Sequence, residues 1–187
     1  VVEPFTRSMC SPVADGAAAT IVCSPEFARQ LGAKTVRIAA TTLRSAEAEG
    51  RDDDNVIRRA ADAAYEMAGV GPEDVRVVEV HDAAASAEMQ AYEQLRLCGP
   101  GEAHRWVDEG VTSLGGKVPV NTSGGLECRG HPVGATGLAQ IAELAWQLRG
   151  DAGERQVSGA PRVALAQNAG GHLGNENATC AITILTC

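Results

Sequence analysis

The sequence has 187 residues, of which 44% are hydrophobic and 21% charged, and its formal net charge is −8 at pH 7. This length is enough for one domain with its own core, and the composition argues against a disordered chain. The negative net charge and the low aromatic content of 3% disfavour a surface that binds nucleic acid or an anionic membrane.

No apolar run approaches the roughly 18 residues that a membrane-spanning helix needs, and the first residues lack the basic and apolar regions of a signal peptide. The six cysteines form no Cys-x-x-Cys pair and have no histidine at zinc-finger spacing. We therefore expect a reduced, cytoplasmic protein with no membrane span and no structural metal.

Strand-like and helix-like patterns alternate along the first half of the chain. Ser24 and Pro25 have the form of a helix start, and Gly32 has the form of a helix end. Asn55 can cap a second helix, whose apolar residues recur at helical spacing as far as Gly69. The predicted elements are a strand at residues 17–23, a helix from 25 to 31, a strand at 35–42, a polar loop at 44–54, a helix up to 68 and a strand at 75–80.

The second half continues the alternation, which predicts a layered α/β fold. Its clearest helix has Leu138, Ile141, Ala145 and Leu148 on one face. No helix separates the last two strands, so we expect them to be antiparallel neighbours. The predicted elements are a helix at residues 86–97, a short strand at 115–123, a glycine-rich loop at 124–137, the helix just described, and strands at 162–167 and 178–185.

Two histidines lie in segments suited to chemistry. His81 and Asp82 follow the strand at residues 75–80, and α/β sheets commonly bind ligands at that end of a strand. The alternative for this pair is a local cap on the next helix. His131 lies in the run Gly-His-Pro-Val-Gly-Ala-Thr-Gly, where glycines let a substrate approach a side chain suited to general base catalysis.

Two further features are weaker candidates. The loop at residues 168–175 can present backbone N–H groups to an oxyanion, but a tight connection between strands also uses glycine and asparagine. Cys128 lies three residues before His131, although neighbouring loop positions seldom orient a nucleophile toward its base.

Residues 77–187 resemble the C-terminal half of a thiolase, and most of all a thiolase of the sterol-carrier-protein type. The run at residues 120–150, VNTSGGLECRGHPVGATGLAQIAELAWQLRG, carries most of this resemblance. His81-Asp82-Ala83 resembles the family's His-Asp-Cys-Phe loop. Residues 15–19, Asp-Gly-Ala-Ala-Ala, resemble a strand that closes the family's N-terminal half.

The resemblance implies a thiolase-like layered α/β fold with a five-stranded mixed sheet and packed helices, usually in a dimer or other homo-oligomer. Residues 1–32 would be the closing strand of the N-terminal half with a connecting helix, and residues 33–187 the C-terminal domain. The family's nucleophilic cysteine belongs to the N-terminal half, which we expect on another polypeptide. The strand at residues 17–23 needs sheet neighbours, and either that half or the later strands of this chain would provide them.

The resemblance also implies roles for four residues. His131 would deprotonate the nucleophilic cysteine, and His81 would stabilise the oxyanion of a thioester. Gly170 would donate its N–H in a second oxyanion hole. Asn168 would lie at the substrate, where ordinary thiolases have a second, acid/base cysteine. The substrate would be an acyl-CoA, with coenzyme A as its carrier and no tightly bound cofactor.

The sequence departs from the family at both positions where that second cysteine occurs, since they hold Asn168 and Ala83. Neither residue transfers a proton at neutral pH, so His81, His172 or a partner residue would take the role. The leading hypothesis is the C-terminal portion of an acyltransferase that makes or breaks a carbon–carbon bond next to a thioester, inactive as this chain alone. The alternatives are a retro-aldolase that acts on CoA-linked side chains with an OB-fold partner, and a non-catalytic subunit that binds acyl-CoA or a partner.

Overall fold

A computed structural model of the chain describes residues 3–32, 34–47 and 54–187. These residues form one four-stranded β-sheet in the order β1-β4-β3-β2, in which β4 is antiparallel to both neighbours and β2 is parallel to β3. The antiparallel pairing of the last two strands is therefore as predicted. The strands are β1 Arg37–Ser45, β2 Val77–Glu79, β3 Val163–Gly170 and β4 Thr179–Thr186.

Helices pack on both faces of the sheet, which confirms a mixed α/β fold. The apolar face of α2 covers β1 and β4, and α6 covers β2 and β3 on the other side. The α-helices are α1 Pro25–Leu31, α2 Val56–Ala68, α3 Ala85–Gln94, α4 Ala103–Asp108, α5 Gly125–Arg129 and α6 Thr136–Arg149. Within the described ranges, none of them is long and apolar enough to cross a membrane.

The first two helices begin and end where their capping residues predict. The side-chain oxygens of Ser24 and Asn55 each accept a backbone N–H of the first turn, at 3.2 and 3.1 Å. Gly32 and Gly69 follow the two helices in the left-handed conformation. By contrast, α4 has no side-chain cap, and the sequence did not indicate it.

The sheet has four strands among the described residues, so the predicted five-stranded sheet is wrong. Residues 119–121 occupy the position beyond β2, where one parallel bridge joins Val120 to Val78. Val78 donates to this segment at 3.0 Å and accepts from it at 2.8 Å. Pro119 has no N–H and the residues before it form turns, so the strand predicted at residues 115–123 is reduced to this bridge.

The strand predicted at residues 17–23 is also not formed. This segment is neither helix nor strand, and it has no strand partner among the described residues. Its apolar side chains are exposed, with Ile21 at 95% and Val22 at 73%. A strand is stable only where neighbouring backbone groups pair with it, and the C-terminal sheet does not reach this segment.

The buried face of α6 is more polar than its periodicity predicts. Leu148 is buried as expected, but Leu138 is 41% exposed. Gln140, Glu143 and Gln147 are instead at most 2% exposed. The helix is therefore rotated relative to the predicted apolar face, because these three side chains have hydrogen-bond partners inside the domain.

Element boundaries differ in smaller ways from the prediction. The strand predicted at residues 35–42 begins and ends later, and the helix predicted at 86–97 is shorter at its C-terminal end. The glycine-rich loop at residues 124–137 contains a short helix, α5. Of the polar loop predicted at residues 44–54, positions 48–53 lie outside the described residues.

Candidate active site

The fold brings His81 and His131 together from two separate loops. Their ring centroids are 4.8 Å apart, and the ring planes meet at 75°. His81 lies just after β2, and His131 follows the end of α5. The pair therefore lies at the carboxyl end of a parallel strand, the place that the sequence predicts for a ligand.

The N-terminal segment at residues 11–14 contacts both histidine loops. Ser11 donates to the loop that follows His81 at 3.1 Å, and the His131 N–H donates to the carbonyl of Pro12 at 3.0 Å. The two segments approach closely at Gly130, where a Cβ atom would lie 2.4 Å from the Cβ of Ala14. Glycine is required there for space, and its φ of 81° also favours glycine.

One hydrogen bond fixes the ring of His131. Its Nδ1 lies 2.8 Å from the hydroxyl of Thr136, the first residue of α6. That hydroxyl also lies 3.2 Å from the carbonyl oxygen of Pro132, and Thr136 is 1% exposed. The imidazole is thus held against the start of α6 by a buried side chain.

His81 has an unpaired ring nitrogen. Its Nδ1 is buried and has no hydrogen-bond partner among the described residues, while its backbone N–H donates to Gln167 at 2.9 Å. Burial lowers the pKa of His81 below its ordinary value of 6.5, hydrogen bonding to Asn168 opposes this shift, and the proximity of His131 reinforces it. The lowered pKa favours the neutral imidazole, and Nδ1 lies unpaired inside the protein.

Asn168 and Gly170 lie within β3, and not in the loop predicted at residues 168–175. Asn168 interacts with His81, and its Nδ2 donates to Gln140 at 3.1 Å. Gly170 is the last residue of β3 and pairs in register with Thr179 of β4. No hydrogen bond or ring contact joins Gly170 to either histidine within the described part of the chain.

Asp82 connects the two histidine loops. Its carboxylate accepts the backbone N–H groups of Leu126 and Glu127 at 2.8 and 3.3 Å, which caps α5. The alternative prediction for His81 and Asp82 was a cap on the helix that follows them. It is wrong, since α3 begins without a side-chain cap. Burial raises the pKa of Asp82 to about 6, and the two N–H groups oppose that shift. Asp82 thereby fixes the His81 loop to the helix that leads to His131.

Two buried glutamates hold the residues just before α5, and neither was predicted from the sequence. Glu79 is fully buried and accepts from the N–H and hydroxyl of Ser123 at 3.0 and 2.6 Å. Glu143 accepts from Arg155 at 2.9 Å, and the hydroxyl of Thr122 lies between the two carboxylates at 3.4 and 3.1 Å. The one available signal, for Glu79 alone, was an acid inside the predicted strand Val-Arg-Val-Val-Glu-Val.

The buried Glu79 predicts a specific pH dependence of stability. Burial raises its pKa from 4.5 to about 7, so the folded chain keeps a proton that the unfolded chain releases. Its stabilising contribution is present below pH 4.5 and is lost as the pH rises through about 7. Urea unfolding should show a free energy of unfolding that falls across this window, and Glu79→Gln should weaken the fall because an amide does not titrate. The exposed control Glu154→Gln should leave the fall unchanged. An equally unchanged fall in Glu79→Gln would contradict the assignment to Glu79.

Comparison with known proteins identifies the domain. Residues 39–183 match the thiolase C-terminal domain-like family. The chain is 46% identical over 180 residues to sterol carrier protein 2 of Rattus norvegicus, covering 91% of this chain and 33% of that protein. It is 42% identical over 176 residues to an acetyl-CoA acetyltransferase of Methanothermobacter thermautotrophicus, covering 91% of this chain and 46% of that protein. The chain thus spans between a third and a half of the length of these relatives.

The solved structure of the Ltp2-ChsH2(DUF35) aldolase has the same fold. Its TM-score to this chain is 0.80 at 20% sequence identity, and the match covers 100% of this chain and 48% of that chain. At this identity the likeness concerns the fold alone.

Proposed function

The chain belongs to the thiolase family through its C-terminal domain, and on this premise we propose that it is part of an acyl-CoA enzyme that makes or breaks a carbon–carbon bond next to a thioester. The observation that carries the proposal is the contact between the rings of His81 and His131, 4.8 Å apart, at the carboxyl end of β2. The enzyme class is acyltransferase. Coenzyme A is the carrier of the substrate, and no tightly bound cofactor is needed.

His131 acts as the general base. The nucleophile is a cysteine of an N-terminal thiolase half, which these 187 residues do not contain. His131 accepts the proton of that thiol, and the thiolate attacks the carbonyl carbon of the substrate. In the cleavage direction the carbon–carbon bond then breaks, the acyl group stays on the cysteine, and the leaving enolate of the thioester takes up a proton. The thiol of free CoA then attacks the acyl-cysteine, which releases the shortened acyl-CoA and returns the cysteine. This chain therefore acts only together with the other half.

His81 and Gly170 stabilise negative charge on oxygen. A neutral His81 donates an N–H to the thioester oxygen, and its ring contact with His131 just after β2 supports a role for this ring at the substrate. The backbone N–H of Gly170 serves a second oxyanion at the end of β3. Asn168 orients the substrate from its place beside His81.

His81 is also the best candidate for the proton transfer that a second cysteine performs elsewhere in the family. The two positions for that cysteine hold Ala83 and Asn168, and the amide of Asn168 is bonded to Gln140. His172 is exposed in the loop between β3 and β4, whereas His81 is held against His131. His81 would take over the thiol proton from the protonated His131 in contact with it and would pass that proton to the enolate.

Retro-aldol cleavage of a CoA-linked side chain, with an OB-fold partner, is the second candidate. It is favoured by the same two positions, because neither Ala83 nor Asn168 can act as an acid. A subunit that binds acyl-CoA or a partner without catalysis is the third. It is favoured by the absence of a cysteine nucleophile in contact with His131 among the described residues.

Product analysis separates these functions. The assembled enzyme, meaning this chain with its N-terminal half, is given a 3-ketoacyl-CoA with free CoA, and separately a 3-hydroxyacyl-CoA. We expect shortened acyl-CoA and acetyl-CoA from the first substrate, detected by mass spectrometry. An aldehyde or ketone released only from the second substrate would indicate the aldolase. Absence of products from both would indicate the binding subunit.

The exposed segment at residues 17–23 is the surface on which we expect the N-terminal half to pack. We propose that residues 1–32 belong with that half, that this segment pairs with its sheet, and that residues 33–187 form the C-terminal domain. Burial of Ile21 and Val22 by the pairing would remove two large apolar side chains from water. We further propose that the assembled enzyme is a cytoplasmic homo-oligomer, with a dimer as the expected form. Native mass spectrometry of the assembled protein tests the number of subunits.

A further inference from the structure

The surroundings of Thr136 determine which ring nitrogen of His131 carries the proton. We infer that Thr136 is a positioning residue that holds His131 with the proton on Nδ1 and the lone pair on Nε2. The inference rests on the proposed function of His131 as a base, and it adds the atom that accepts the proton and the residue that selects it.

Donor and acceptor accounting supports this tautomer. The Thr136 hydroxyl has one proton and two neighbours, Nδ1 of His131 at 2.8 Å and the carbonyl oxygen of Pro132 at 3.2 Å. The carbonyl oxygen can only accept. If the hydroxyl donates to Pro132 and accepts from a protonated Nδ1, both contacts are attractive. The Pro132 oxygen also accepts the backbone N–H groups of Ala135 and Thr136 at 2.8 and 3.0 Å. If the hydroxyl donates to Nδ1 instead, its oxygen faces this carbonyl oxygen at 3.2 Å with no proton between them.

Burial makes this arrangement persistent. Thr136 is 1% exposed, so water does not compete for its hydroxyl, and it is the first residue of α6, so its backbone is fixed. The backbone of His131 is held separately by its bond to Pro12 at 3.0 Å. With ring and backbone both anchored, Nδ1 is directed at Thr136 and cannot reach a thiol.

The consequence concerns the free nitrogen. Nε2 has no hydrogen-bond partner among the described residues, and it is not among the buried unpaired atoms of that part of the chain. It is therefore open to an incoming group. An unprotonated Nε2 accepts a thiol proton directly, whereas the opposite tautomer would present an N–H to the cysteine and could not act as a base.

Nuclear magnetic resonance of the assembled enzyme, labelled with ring-¹⁵N histidine, reads the tautomer without any turnover. The signals of His131 are those that disappear in His131→Ala. We expect the shifts of a protonated Nδ1 and an unprotonated Nε2 in the wild type and in Thr136→Ser, which keeps the hydroxyl. In Thr136→Val the Nδ1–H form should lose population. A wild-type spectrum with the proton on Nε2 overturns the inference without the need for any variant, as does an unchanged tautomer in Thr136→Val.

Activity gives the second readout. Thr136→Val should lower kcat/KM roughly 10- to 100-fold, as for loss of a partner that orients a metal-binding imidazole, and Thr136→Ser should retain most of the activity. Equal losses in the two variants would indicate that Thr136 contributes volume and not its hydroxyl. If the tautomer is as expected but His131→Ala retains activity, the proposed base is wrong while the assignment of the proton stands, so the two failures are distinguishable.

Discussion

Replacement of His131 by alanine is expected to lower kcat/KM of the assembled enzyme about 10²- to 10⁴-fold, the range for removal of a general base. The ring is held at 4.8 Å from His81, and it is the described histidine ring that is bonded to a buried hydroxyl, that of Thr136. Alanine leaves the backbone bond to Pro12 in place, so the loop should keep its course.

The control for this variant is His104→Ala. His104 is exposed on α4, and its loss should leave kcat/KM unchanged. Steady-state kinetics of both variants, with circular dichroism to verify folding, provide the comparison. A loss smaller than about tenfold in His131→Ala would mean that His131 is not the base, since base removal has a larger effect.

The second large effect is expected from Gly125→Ala, which should reduce the free energy of unfolding by about 3 kcal/mol or more through overpacking and backbone strain. The φ of Gly125 is 62°, and a Cβ atom there would lie 2.1 Å from Oδ2 of Asp82. Asp82 cannot move away cheaply, because it is 2% exposed and both its oxygens accept N–H groups of α5. Relief of the clash therefore breaks the cap that joins the two histidine loops.

Gly115→Ala is the matched control. Its added Cβ would meet no atom within 4 Å, and its backbone does not have the left-handed conformation. Urea unfolding should place this variant within about 0.5 kcal/mol of the wild type, as for most surface substitutions. Equal stability of Gly125→Ala and Gly115→Ala would show that Asp82 yields easily and does not fix the site.

The parts of the fold that the sequence predicts well are those set by neighbours along the chain. The side chains of Ser24 and Asn55 each accept the N–H of the residue three positions further along the chain. Gly32 and Gly69 end the same two helices. Such contacts depend on local residue types and can be read without knowledge of the tertiary structure.

Contacts between distant residues were not predictable in the same way. Asp82 and Glu79 bind backbone N–H groups 44 residues further along the chain, so nothing near either acid shows its partner. The burial of Gln140 depends on its bond to the carbonyl of Gln167, which is likewise remote in sequence. Periodicity counts such side chains as solvent-facing, and the predicted face of α6 was partly wrong for this reason.

The residues of the candidate site show the same difference between features that are local in the sequence and contacts between distant residues. His81 and His131 were found because residue type, glycine content and position after a strand are visible in the sequence, and the structure brings their rings together. Asn168 and Gly170 were assigned to a loop because of their composition, but pairing with β4 extends β3 through both. Thr136 was not singled out, since a hydroxyl gains its role only from the ring beside it.

The most direct test of a site shared between this chain and an N-terminal half is the position of the acyl group in a trapped intermediate. The assembled enzyme is mixed with acyl-CoA, quenched in acid, digested and mapped by mass spectrometry. We expect the acyl group on one cysteine outside residues 1–187, and we expect its rate of formation to fall about 10²- to 10⁴-fold in His131→Ala, as for loss of a general base. An acyl group on Cys128 or another of the six cysteines of this chain, or a rate unchanged in His131→Ala, would contradict the shared site.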